Sequence, residues 1–105
     1  MEILVVCGAG ASSTFVALRL RRAAAGRGLD ITARAGSLEL LSSSLSGVDL
    51  VLVGPHLADR LDSIVDTVHA TDERIVVAVL PEPAVASADG SLALQTALDA
   101  AGVGS

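Results

Sequence analysis

Ile3-Leu4-Val5-Val6-Cys7-Gly8-Ala9-Gly10-Ala11-Ser12-Ser13-Thr14 is the stretch that decides the fold. Its first four residues are apolar without alternation and mostly β-branched. Such a run reads as a strand buried on both faces. Small residues and glycines follow, then hydroxyls that suit a helix start. The spacing predicts a helix over Ser13–Arg27, ended by Gly26 and Gly28.

The same pattern recurs along the chain. Leu50–Val53 and Ile75–Leu80 are two further apolar runs rich in β-branched residues. Leu29–Ala35 alternates Ile31, Ala33 and Ala35 with Thr32 and Arg34, as an edge strand does. Helical patterns fall between and after the strands, over Ser37–Leu45, His56–Ala70 and Ser91–Ala101, and Pro81-Glu82-Pro83 reads as a loop. Strands alternating with helices call for a parallel sheet with right-handed crossovers. The expected fold is α/β: a three-layer sandwich on a four-stranded parallel sheet, order 2-1-3-4. A P-loop-like Cys loop follows strand 1, and residues 1–105 form one domain. Ligands of such sheets bind beyond the carboxyl ends of the strands, where the strand order reverses.

Composition narrows the function. The chain is 51% hydrophobic, with mean hydropathy +0.65, so a core is easily built. Phe15 is the single aromatic residue, and stacking on single-stranded nucleic acid is thereby disfavoured. The net charge is −5, with seven arginines and no lysine, which argues against nucleic-acid binding. Phosphate chemistry that depends on a lysine, as in receiver domains and P-loop NTPases, is excluded. One cysteine permits no internal disulfide, no CxxC redox pair and no Cys-rich zinc site, and no metal or other cofactor is expected. A lone thiol suits a reducing cytosol. The acidic Met1-Glu2 start does not resemble a signal peptide, and no apolar run approaches the roughly 20 residues of a membrane span. A cytoplasmic protein is expected.

Cys7 reads either as a buried strand-end residue or as a reactive thiol, and the Gly8-Ala9-Gly10-Ala11-Ser12-Ser13 that follows favours the second. Gly8 and Gly10 permit close backbone approach. The loop can aim N–H groups inward as an anion nest beside a helix N-terminus. Ser12, Ser13 and Thr14 add hydroxyls. Oriented donors of this kind stabilise a thiolate, which can attack a phosphoryl group and hold the product dianion. Low-molecular-weight phosphatases and related arsenate reductases carry a Cys-x5-Arg loop, but Ser13 stands at the arginine position here. The loop is therefore suited to forming a thiophosphate and poorly suited to hydrolysing it. Gly54-Pro55-His56, ending strand 3, is expected beside Cys7, with Pro55 in the first turn of the next helix and His56 able to hydrogen-bond a phosphoryl group or a partner. Asp59, Asp62 and Asp66 read as a solvated helix face. His69 suits the carboxyl end of its helix. Asp49 lies at the wrong end of strand 3 to accept phosphate. Arg19, Arg21, Arg22 and Arg27 form a basic cluster that is either a solvated face or a docking surface for an acidic partner.

Together, Ile3–Thr14, Val51-Leu52-Val53-Gly54-Pro55-His56 and Asp59-Arg60-Leu61 resemble the IIB component of the phosphoenolpyruvate-dependent sugar phosphotransferase system (PTS), lactose/cellobiose type. The Cys7-Gly8-Ala9-Gly10 start is also similar to the ascorbate and galactitol IIB groups. The resemblance implies a phosphocysteine at Cys7, filled from a phosphohistidine on a IIA protein. The phosphoryl group then passes to a sugar bound in the membrane permease IIC, so that the protein works transiently at the inner face of the membrane. Gly8, Ala9, Gly10, Ala11, Ser12, Ser13 and Thr14 take the place of the family's phosphoryl cradle. His56 stands where the family commonly has Gln. Beside this reading stand a phosphatase or arsenate-reductase-like enzyme and a regulatory IIB-like binding module.

Overall fold

The computed structural model describes residues 1–6, 10–39, 41–86 and 90–102, and of residues 10–13 and 86 the backbone alone. Four strands, β1 (Glu2–Val6), β2 (Thr32–Gly36), β3 (Leu50–Val53) and β4 (Val76–Val79), pair in parallel in the order β2-β1-β3-β4. Ile3 lies opposite Leu50 and Val6 opposite Val53, while Val6 also lies opposite Gly36 on the other side. The expected class and strand order are therefore found.

The two central strands explain the apolar runs. Ile3 to Val6 and Leu50 to Val53 are all 0% exposed. Their side chains alternate between two cores because successive residues point to opposite sheet faces. Ile3, Val5, Leu50 and Leu52 pack with α1 (Gly10–Gly26) and α4 (Ser91–Ala101). Leu4, Val6, Val51 and Val53 pack with α2 (Leu61–Thr71) and with Leu41 and Leu57 of two 3-10 segments, Leu41–Ser43 and Pro55–Arg60. Burying each such side chain is worth about 1.5–3 kcal/mol relative to exposing it. β4 reads as apolar as its neighbours but leaves Val76 38% exposed, because it is the edge of the sheet.

Helix boundaries carry local reasons. α1 closes as expected: Gly28, at φ +70°, and Leu29 donate their N–H groups to the carbonyls of Ala25 and Ala24 at 3.1 and 2.9 Å. This is the left-handed glycine cap that returns the chain toward β2. His69, in the last turn of α2, donates through Nε2 to the Ile75 carbonyl at 3.0 Å and ties that helix to the approach of β4.

Three expectations are corrected. Ser37–Leu45 holds only the 3-10 turn Leu41–Ser43, and its serines favour local turns over an α-helix. The helix expected over His56–Ala70 begins as 3-10 at Pro55 and becomes α-helical only at Leu61. The Pro81-Glu82-Pro83 segment is not all loop, since α3 (Glu82–Ala86) starts within it. Pro83 occupies that helix's first turn, where its missing N–H is no loss. Ala84, 3% exposed, anchors it in the core.

Gly90 fixes how α4 meets α1. A Cβ built on it overlaps the backbone carbonyl of Arg19, whereas one on Gly26 meets nothing within 4 Å. Gly90→Ala is expected to cost about 1–3 kcal/mol by overpacking. Gly26→Ala is expected to be neutral or to stabilise by up to about 1 kcal/mol. Urea unfolding of the two variants checks both.

Candidate functional site

The site is built where the fully buried strands release the chain. At their carboxyl ends the apolar residues stop, and polar groups enter from the loops. β1 ends at Val6, between Gly36 of β2 and Val53 of β3. The Gly54 N–H donates to the Val6 carbonyl at 2.8 Å, so the Gly54-Pro55-His56 segment is held against the end of β1, while Cys7, beside which it was expected, lies outside the described residues. Gly54 is buried and extended at φ −61°, and Pro55 opens the 3-10 helix. Leu57, 7% exposed, pins that helix to the sheet and leaves His56 at the surface.

A cleft of about 540 Å³ lies beside this point, lined by Ser37, Leu38, Glu39, His56, Leu57, Asp59 and Arg60. Its walls follow β2 and β3, the two strands that flank β1, so it straddles the switch point of the sheet. The second wall was not legible as a site. Ser37 to Glu39 were expected to begin a helix and Asp59 to belong to a solvated face, yet both line the cleft with His56. Their signal was positional: they directly follow strands that border β1. Asp59, Asp62 and Asp66 are all exposed, as expected.

Cys7, Gly8 and Ala9 lie outside the described residues, as do the side chains of Gly10, Ala11, Ser12 and Ser13. The backbone corrects one expectation here. α1 begins at Gly10, three residues earlier than predicted, so Gly10 to Ser12 belong to the helix and not to a loop. The first four N–H groups of any α-helix lack intrahelical acceptors. No acidic side chain stands in the first turn of α1 to compete for them. Thr14 is exposed, in the second turn.

At the opposite, amino end of the sheet a smaller cavity of about 270 Å³ is lined by Val48, Asp49, Asp72, Arg74 and Ile75. Its polar groups answer one another. Asp49 accepts the Glu2 N–H at 2.9 Å, and Asp72 accepts from Arg74 Nε at 3.1 Å. The hydrogen bonds from Arg74 lower the Asp72 pKa and raise that of Arg74. This end carries structural bonds.

Residues 2–87 match the family described as PTS system, Lactose/Cellobiose specific IIB subunit. The chain belongs to this family. That resolves the resemblance to other IIB groups in favour of the lactose/cellobiose type. Comparison with curated proteins finds no match. Among solved structures, this IIB chain is similar to the lactose-specific IIB component domain of the PTS from Streptococcus pneumoniae, with a TM-score of 0.81 and 17% identity over 95% of this chain and 96% of that one. It is also similar to the cellobiose-specific phosphotransferase IIB component from Borrelia burgdorferi, with a TM-score of 0.71 and 27% identity over 97% and 92%. A phosphotransferase role follows from the family. No helix among the described residues of this IIB chain is long and apolar enough to cross a membrane.

The two positions Leu57 and His56 separate scaffold from site. Leu57→Ala is expected to lose about 2–5 kcal/mol of stability. His56→Ala is expected to stay within about 0.5 kcal/mol of the wild type. Chemical denaturation of both variants checks the contrast.

Proposed function

We propose that the chain acts as one IIB domain over residues 1–105, a phosphoryl carrier whose acceptor is Cys7. The carrying observation is the switch-point geometry: β1 delivers its carboxyl end directly before the N-terminus of α1, between the segments that hold His56 and Ser37. Family membership supports the same role.

The chemistry balances without a metal. The Cys7 thiolate attacks the phosphorus of a phosphohistidine on a IIA protein. An S–P bond forms, the P–N bond breaks, and the imidazole nitrogen leaves with the electron pair. N–H groups from Gly8 to Ser13, with the hydroxyls of Ser12, Ser13 and Thr14, take up charge on the phosphoryl oxygens, favoured by the positive end of the α1 dipole. A sugar hydroxyl presented by the permease IIC then attacks. An O–P bond forms, the S–P bond breaks, the hydroxyl proton passes to water or a base in the permease, and the thiolate is restored. This hand-over sets the place of work, in the cytoplasm at the inner face of the membrane. Gly54, Pro55 and His56 form the neighbouring wall, with His56 bonding the phosphoryl group or the partner.

The loop position six residues after Cys7 is Ser13, so no guanidinium clamps the phosphoryl transition state from there. The thiophosphate therefore waits for an acceptor, and the isolated chain is expected not to hydrolyse an aryl phosphate. Cys7→Ser is expected to cut phosphoryl relay to sugar by on the order of 10³-fold or more, with an unchanged circular-dichroism spectrum. Relay by Cys7→Ser at the wild-type rate, or steady aryl-phosphate turnover by the wild type, would contradict the carrier role.

A further inference from the structure

Phe15 is the only aromatic residue of a chain that is 51% hydrophobic, yet it stands 56% exposed. A phenyl ring offers 150–250 Å² of burial, so leaving it in solvent forgoes stability that the core could use. It lies in the second turn of α1, five residues past Gly10 and so about 7.5 Å along the axis from the helix start. Arg19, one turn on, places its guanidinium carbon 5.8 Å from the ring centroid, within cation–π range. Arg22 follows at the next turn on the same outward stripe, Arg21 lies about 100° round the helix on its flank, and both are exposed. The buried residues of α1, Val16, Ala17, Leu20 and Ala24, occupy the opposite side.

Charge sharpens the picture. Residues 19–27 hold four of the seven basic residues, and α1 contains no Asp or Glu, although the chain carries −5 overall. An acidic partner is thus repelled by the molecule as a whole and attracted along one stripe. That arrangement orients an encounter before contact. Arginine and an aromatic side by side also have the composition of an interface anchor.

We propose that the Phe15–Arg19–Arg22 face of α1, with Arg21, is the docking surface for the phosphoryl-donor protein, and that the donor presents carboxylates around an apolar socket for Phe15. The proposal rests on the carrier reading of Cys7. A standard interface covers about 800 Å² per partner, so a donor placed at the start of α1 covers this face as well.

The test measures phosphoryl transfer to the chain from a phosphorylated lactose/cellobiose-type IIA protein of the same organism, across donor concentration and salt. For the wild type, the rate at subsaturating donor is expected to fall about tenfold from low to high salt. Arg21→Glu/Arg22→Glu is expected to raise the apparent KM about tenfold or more at low salt with unchanged kcat, and to invert the salt dependence. Phe15→Ala is expected to raise KM about fivefold and to keep the salt dependence, with an unfolding midpoint no lower than that of the wild type. Variants with wild-type KM, or with reduced kcat at unchanged KM, overturn the docking surface while leaving the carrier reading intact. Binding of the wild type to phosphatidylglycerol vesicles that Arg21→Glu/Arg22→Glu abolishes, with transfer unchanged, overturns it in favour of a lipid contact. A wild type that accepts no phosphoryl group overturns the carrier reading and this proposal with it.

Discussion

The structure depends on the complete burial of two adjacent parallel strands. β1 and β3 place eight side chains at 0% exposure, four into each of two cores. No polar group can be carried along such strands without being stranded in an apolar layer. Chemistry is therefore pushed to the strand ends. The amino end is closed by structural bonds such as that from the Glu2 N–H to Asp49. The carboxyl end faces the wall beginning at Gly54, which the 2.8 Å bond to Val6 holds in place.

This constraint explains why much of the fold is legible in the sequence. An apolar run without alternation has one comfortable environment, a strand covered on both sides, and Leu50–Val53 is found where it was read. α4 likewise occupies Ser91–Ala101, with Ala93, Leu94, Ala97 and Leu98 buried. Less legible were the segments governed by local competition. Glycine, alanine and serine at 10–13 carry no apolar stripe, so the first turn of α1 leaves no periodic trace, although nothing in these residues forbids it. The two prolines around Glu82 look like loop punctuation, yet one of them sits at the only part of a helix that tolerates it. The run of helical periodicity after Pro55 conceals a 3-10 start, because Leu57 must reach the sheet at once while Pro55 fixes the entry.

The candidate site was half legible. Parallel order was legible, and it brings Gly54 to the end of β1, where its N–H meets the Val6 carbonyl. The facing wall, Ser37 to Glu39, carried no motif and became visible only through topology. Cys7 itself is read from sequence and family, with a small-residue helix start behind it. The consequence is a division of labour within one surface. The proposed carrier role assigns the transferable group to the end of β1, beside the histidine-bearing cleft, and the proposed docking surface to the arginine-rich face of α1. A carrier needs such an arrangement, because it must bind two partners in turn and react with neither solvent nor itself.

The most direct measurement is intact and tryptic mass analysis after incubation with phosphoenolpyruvate and the general PTS proteins together with the phosphoryl-donor IIA. With seven arginines and no lysine, trypsin places Cys7 in Met1–Arg19 and His56 in Ala35–Arg60, so the two candidate acceptors separate cleanly. The account predicts a single adduct of about 80 Da, one phosphoryl group, on Met1–Arg19 that is absent from Cys7→Ser. An adduct on Ala35–Arg60, or no adduct while the IIA protein is fully phosphorylated, would contradict it.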